Sequence, residues 1–231
     1  MPLALFMVLG TMQLFMLLQG RLFAEHAAYM AARVGSVRHG HCDAMRDAAI
    51  VALLPSFSSY LGSGTHGNSP EEKLATAYGL RRTNRYHATL DDGHTGDIVW
   101  LFRPSPRFAE LNATTARPED TFDDPDRGGY TLEVRAVYWF PLRVPFANWV
   151  MTAMFRAWLG VAAYTNQNPL MPAQAARWQV GTPRLGALQA EFSSRTGAGE
   201  YVFPVTGTAA MRMMTPPRPA NFNPQNCPHH P

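Results

Sequence analysis

The beginning of this chain constrains the rest of it. Residues 1–19 read MPLALFMVLGTMQLFMLLQ, and no charged side chain occurs before Arg21. As a helix rising ~1.5 Å per residue, that run reaches roughly 30 Å, about the hydrocarbon thickness of a bilayer. A rod that is apolar on every side has no face to offer water, so it needs lipid or neighbouring helices around it. A secretory signal would carry basic residues first, a shorter apolar run and a small-residue cleavage site. Here nothing basic precedes the run, which passes into Gln19-Gly20-Arg21 with no A-x-A site at its end. The expectation is an uncleaved anchor joined to a more polar body.

Composition limits what that body can be. With 46% hydrophobic and 16% charged residues among 231, the chain is neither disordered nor polytopic. Of the 20 basic residues only Lys73 is lysine, and the arginines form no stripe interleaved with aromatics. No nucleic-acid binding is expected.

Residues 21–54 are rich in Ala, Leu, Met and Arg, which favour helix. Leu22, Ala28 and Met30 are set against Arg21, Glu25, Arg33 and Arg38, so the pattern becomes one-sided. Gly35 and Gly40 are weak points, and Pro55 is the expected stop. An unbroken helix over residues 2–54 would be ~80 Å long. Three regions follow: a helix over 1–55, apolar to residue 20 and amphipathic after it; a mixed body over 56–214; and a proline-rich tail over 215–231, extended and without regular structure.

Within the body, 58–69 reads as a loop. Ser69, Pro70 and Glu72 form a capping box that opens a helix running to about Thr83 or Tyr86. A buried strand is expected at 97–102. Residues 103–129 read as an extended loop, rich in proline and acidic residues. The clearest strand is 130–140, where Leu132, Val134, Ala136, Tyr138 and Phe140 alternate with Thr131, Glu133 and Arg135. Val137 and Trp139 make the end of that strand apolar on both faces. Residues 148–164 predict an apolar helix packed on the sheet, preferred over a second membrane span because Arg156 lies mid-helix. Residues 182–198 are mixed in pattern. A last strand, at an edge or bulged at Pro204 and Gly207, is expected over 200–214. The fold class is α+β: a long N-terminal helix, then a small antiparallel sheet with packed helices.

Chemistry-bearing residues are sparse. There is no phosphate-binding glycine loop, no G-x-S-x-G and no H-E-x-x-H. His39, His41 and Cys42 near the end of the long helix, with Cys227, His229 and His230 in the tail, could make a zinc site. Their spacings match no paired-ligand motif. A Cys42–Cys227 disulfide tying the tail to the helix is the simpler account, and in a cytosolic protein the two would more often be unrelated thiols. Asp120, Asp123, Asp124 and Asp126 lack the glycine and terminal glutamate of a calcium loop and read as solvated. Asn112-Ala113-Thr114 fits a glycosylation sequon. No catalytic residue, metal or cofactor is assigned.

The N-terminal third resembles a known family. Leu14-Phe15, then Gly20-Arg21-Leu22-Phe23-Ala24, then Ala31-Ala32-Arg33-Val34-Gly35 are similar to the TadE/TadG-like pilus-assembly pseudopilins of tight-adherence systems. The likeness covers residues 1–55 and is slight beyond, apart from PLRVPFANW at 141–149. It implies a bacterial, non-enzymatic, membrane-anchored minor pilin or pseudopilin. Its partners would be lipid and other pilin-type subunits, in a hetero- or homo-oligomer. It would lie in the inner membrane as a single pass with its body periplasmic, or in an extracellular filament. Leu3, Leu5, Leu9, Gly10, Leu14 and Leu17 would be the residues that pack on neighbouring helices. Family members usually carry a leader with a peptidase site and an early glutamate in the mature chain. This sequence starts inside the apolar run and Glu25 comes too late, so processing is not carried over: the start was placed late, or the subunit is unprocessed. Arg21, Arg33 and Arg38 follow the run, which by the positive-inside rule would keep the body cytoplasmic. The family and the cysteine pair imply the outside, and the outside is adopted. Two other classes compete: a metal-dependent periplasmic enzyme using the His/Cys cluster, and a membrane-tethered receptor module.

Overall fold

The computed structural model describes residues 2–57, 69–79, 96–113, 130–158 and 183–228. Six α-helices and three strands lie among them: α1 Pro2–Val37, α2 Cys42–Phe57, α3 Pro70–Gly79, β1 Val99–Ser105, α4 Phe108–Ala113, β2 Thr131–Pro141, α5 Ala147–Trp158, α6 Pro183–Gly197 and β3 Val202–Arg212. A 3-10 turn covers Pro219–Phe222. The class is α+β. The sheet is antiparallel with order β1-β2-β3.

Two compact units are distinguished. One is built from Met1–Met16 and Pro141–Phe203, the other from Leu17–Arg85, Thr95–Phe140 and Pro204–Pro231. The division cuts across the three regions read from the sequence, because it falls within α1, between Met16 and Leu17, and within β3, between Phe203 and Pro204.

The larger unit is organised by β2. Its exposure alternates over the first residues and vanishes over the last, as the placement of Val137 and Trp139 implies. Leu132, Ala136, Tyr138 and Trp139 are fully buried. β1 pairs with β2 from Val99↔Tyr138 to Phe102↔Arg135, and again at Ser105↔Glu133. The shift between those pairs inserts one extra residue on β1, a bulge at Arg103-Pro104. On one face, Trp100 meets Trp139 edge to face, with ring centroids 5.5 Å apart. On the other, Ser56 and Tyr138 share a buried hydroxyl hydrogen bond of 2.8 Å.

The side of α1 that meets the sheet is made of small residues. Gly20, Ala24, Ala27, Ala28, Ala31, Ala32 and Gly35 are buried at three- and four-residue spacing, one continuous stripe of the helix. Large side chains from the sheet occupy the space so left. A Cβ on Gly20 would lie 2.6 Å from the Phe140 ring, and one on Gly35 2.6 Å from a Leu132 methyl. At Gly207, β3 rests directly on the helix: a Cβ there would fall within 3.0 Å of the backbone of Ala24 and Glu25. Gly207, expected only as a bulge or edge signal, is therefore a point where the strand lies directly against the helix backbone.

Three expectations need correction. The long helix is not continuous: it ends at Val37 and resumes at Cys42. The break is a turn in which the Gly40 N–H donates to the Gly35 carbonyl at 2.9 Å, with His39 and Gly40 both at positive φ, 55° and 76°. Pro55 does not stop α2, which runs to Phe57. A proline so near the C-terminus removes one helical hydrogen bond where the ladder is about to end. The tail is not structureless either: Phe222 is fully buried and Cys227 nearly so.

Other boundaries hold more closely. The capping box at Ser69 is formed in both directions: the Glu72 N–H donates to Ser69 Oγ at 3.2 Å, and the Ser69 N–H to Glu72 Oε2 at 3.4 Å. α3 is described to Gly79, and its expected continuation to residue 86 lies outside the described residues. Two helices were missed. α4 sits inside the stretch read as extended loop, and α6 inside the stretch read as mixed.

The smaller unit holds α5 and α6. Phe155 of α5 packs against Phe192 of α6 and Phe203 of β3, with centroids 4.9 and 4.7 Å apart. The Arg195 guanidinium is fully buried and donates to Glu191 Oε1 at 2.7 Å, one turn earlier on α6. Burial raises the Glu200 carboxyl above its ordinary value, against the pull of Arg195.

Candidate functional site

The outward side of α1 is the candidate site. Met7, Val8, Met12, Leu14, Phe15, Leu18 and Leu22 are each more than half exposed. In the same stretch the polar Gln13 is fully buried, its Oε1 accepting from the Val144 N–H at 2.9 Å. Thr11 turns its hydroxyl back onto the Val8 carbonyl at 2.8 Å, which removes a donor from the apolar surface. Of the polar side chains before Arg21, Gln13 is turned inward while Thr11 and Gln19 are outward, so the outward side is largely apolar. From Arg21 on, the exposed side turns polar, beginning with the Arg21–Glu25 ion pair at 3.2 Å.

One helix among the described residues, Met7–Val37, is long and apolar enough to cross a membrane. Of the residues expected to pack on neighbours, Leu14 is on the open side, while Leu9, Gly10 and Leu17 are half-buried. A Cβ on Gly10 would meet nothing within 4 Å, so that glycine leaves a shallow step on the rod. The side chains of Leu3 and Leu5 lie outside what is described.

The cysteines and histidines sit elsewhere, where α1 gives way to α2. Cys42 and Cys227 form a disulfide that spans 185 residues. Bonded sulfurs are not zinc ligands. His39 Nδ1 lies 2.8 Å from the Pro216 carbonyl, His41 is exposed, and His229 and His230 fall outside the described residues. Among the described residues no three His, Cys, Asp or Glu side chains form a metal-binding group. Asp120, Asp123, Asp124 and Asp126 lie outside them. Closing a loop of that length is worth up to ~5 kcal/mol in the chain-entropy model. A Cys42→Ser, Cys227→Ser double variant is expected to lose several kcal/mol in urea unfolding, with a matching loss of the mobility shift on non-reducing gels.

Sequence reasoning missed the residue at the centre of this junction. Arg103, on the β1 bulge, is fully buried. Its Nη1 donates to the carbonyls of Gly40 at 2.7 Å and Asn221 at 2.8 Å, its Nη2 to Pro224 at 2.8 Å, and its Nε to Gln225 at 3.1 Å. The guanidinium lies 4.5 Å from the centre of the Phe222 ring. Burial lowers its pKa to about 10, which leaves it charged at neutral pH. Only guanidinium has enough fixed donors for four carbonyls. The tail also caps α1, because the Ser36 carbonyl accepts from the N–H groups of Met214 and Thr215 at 3.0 and 3.1 Å. Nothing local to Arg103 announced this, because its partners lie at least 63 residues away.

These contacts hold the fold. Comparison with protein-family models, with characterised proteins and with solved structures finds no match to this chain.

Proposed function

We propose that the chain is a membrane-anchored, non-enzymatic assembly subunit of the TadE-like pseudopilin type, in a tight-adherence pilus or secretion apparatus. The observation that carries this reading is the large apolar surface that α1 leaves exposed from Met7 to Leu22. In lipid, leucine gains nothing by leaving acyl chains for another helix, so association depends on packing and close approach. Gly10, open and flanked by exposed Met7 and Leu14 one turn either side, is where a neighbouring helix could come closest. The body would lie on the periplasmic side or at the surface of a filament, an orientation that a disulfide favours because such bonds persist in oxidising compartments.

A Gly10→Leu variant is expected to stay membrane-bound but to co-purify with its neighbouring subunits several-fold less. Unchanged recovery of those subunits in a detergent pull-down would remove Gly10 from the assembly surface.

A further inference from the structure

The first turns of α1 are held by the rest of the smaller unit at a level where a membrane span must be free. Residues 1–16 belong to that unit, together with α5 and α6. A hydrogen bond from Gln13 joins them to it. Gln13 is fully buried, and its Oε1 accepts from the Val144 N–H at 2.9 Å. Its Nε2 is buried with no hydrogen-bond partner. Leu9, Gly10 and Met16 are half-buried, while Met7, Val8, Met12, Leu14 and Phe15 are more than half exposed.

Lipid on every side of α1 conflicts with that contact. Arg21 is the first charge and marks the end of the apolar run. Gln13 lies ~12 Å before it along the helix, well inside the acyl region of a span that ends there. The Val144 N–H belongs to the loop between β2 and α5. Irregular backbone is excluded from lipid because its polar groups find no partners there. The rest of the unit is no better suited: α6 carries Glu191, Ser193, Ser194, Arg195 and Thr196 within two turns. Residues 1–16 therefore enter lipid only after they part from Val144.

Neither setting satisfies every group. Docked on the unit, α1 leaves large apolar side chains to water and strands the Gln13 Nε2. In lipid those side chains are covered, and the Gln13 amide loses its acceptor role. The Val144 N–H, released, bonds to water at little cost. An element with opposite unmet demands in its two settings changes between them when its surroundings change.

We infer that residues 1–16 are a releasable strap: Gln13 holds them on the α5–α6 unit until their apolar side meets the bilayer, and they then part from Val144. The inference rests on the anchor reading of α1 and adds a step before insertion, which that reading does not require.

The test follows hydrogen exchange in the full chain, made by cell-free translation without lipid and then given vesicles of phosphatidylcholine and phosphatidylglycerol. Flotation with the vesicles reads the anchor. Exchange at the Val144 amide, resolved within a peptide covering residues 141–150, reads the strap. On flotation that amide is expected to exchange several-fold faster, while residues 7–16 exchange more slowly. Flotation with exchange at Val144 unchanged or slowed would overturn the strap and leave the anchor standing. Failure to float would overturn both. Gln13→Leu gives an independent reading, because it removes both the docking bond and the amide that lipid disfavours. It is expected to insert several-fold faster than the wild type, with Val144 already exchanging quickly before vesicles are added. Insertion at the wild-type rate would show that Gln13 does not hold the strap, and the inference would fall.

Discussion

Arg103→Met is expected to cost the second unit about 3–4 kcal/mol, the order measured when a buried charge-assisted hydrogen-bond set loses its donor. The Met side chain fills much of the same volume but donates to none of the four carbonyls that Arg103 satisfies, those of Gly40, Asn221, Pro224 and Gln225. The Gly40 carbonyl is buried, and the other three are partly reached by water, which holds the cost below a full penalty at each. Relief from burying a charge offsets part of it. Arg103→Lys separates the two effects, since an ammonium keeps the charge but cannot reach four acceptors spread around a planar fork. It should lose roughly half as much. Urea unfolding of the detergent-solubilised protein would measure both. A loss under about 1 kcal/mol for Arg103→Met would show that the junction is held by the disulfide and Phe222 without the guanidinium. Because the Arg103 pKa stays at about 10, the wild-type contribution should not change between pH 5 and pH 8.

Gly207→Val should be more damaging still. The new side chain would be driven into the backbone of Ala24 and Glu25, and backbone cannot rotate aside as a side-chain end can. Either β3 lifts from α1 or the helix shifts along its length. An overpacking cost of about 3 kcal/mol is the lower bound, and failure to fold is the other acceptable result. Gly207→Ala should lose about 2 kcal/mol and remain folded enough to measure. Two controls frame the result. Gly35→Ala meets only the flexible ends of Leu132 and Met45, so it should cost less. Gly186→Ala, with nothing within 4 Å in the first turn of α6, should be neutral or gain up to ~0.5–1 kcal/mol from helix propensity. Equal melting of Gly207→Ala and Gly186→Ala would refute the close approach of β3 to α1.

The two sites also show what each kind of signal can reveal. The capping box at Ser69 and the alternation in β2 are local patterns, and both were readable because each residue's role depends on neighbours a few positions away. The buried stripe on α1 was readable in principle, as small residues at helical spacing from Gly20 to Gly35. The side left for lipid or a partner is its complement. α6 was hidden by a polar, mixed composition, although Pro183 at its start and Gly197 at its end carry the usual asymmetry of helix termini.

By itself, the sequence determined that residues 1–19 make an uncharged apolar helix of bilayer length, that the body is α+β with its clearest strand at 130–140, and that Cys42 and Cys227 could bond to tie the tail to the helix. Those properties follow from composition and from periods of two and 3.6 residues, which are local. Only the tertiary structure decided that the long helix breaks between Val37 and Cys42, that Arg103 binds the tail there beside the expected disulfide, that β2 is the central strand, and that Gly207 admits β3 onto α1. It also decided that Phe146 and Trp149 are exposed while Phe155 packs inward. Each of these depends on groups far apart in the chain competing for the same space and the same hydrogen bonds, and no local pattern records the outcome of that competition.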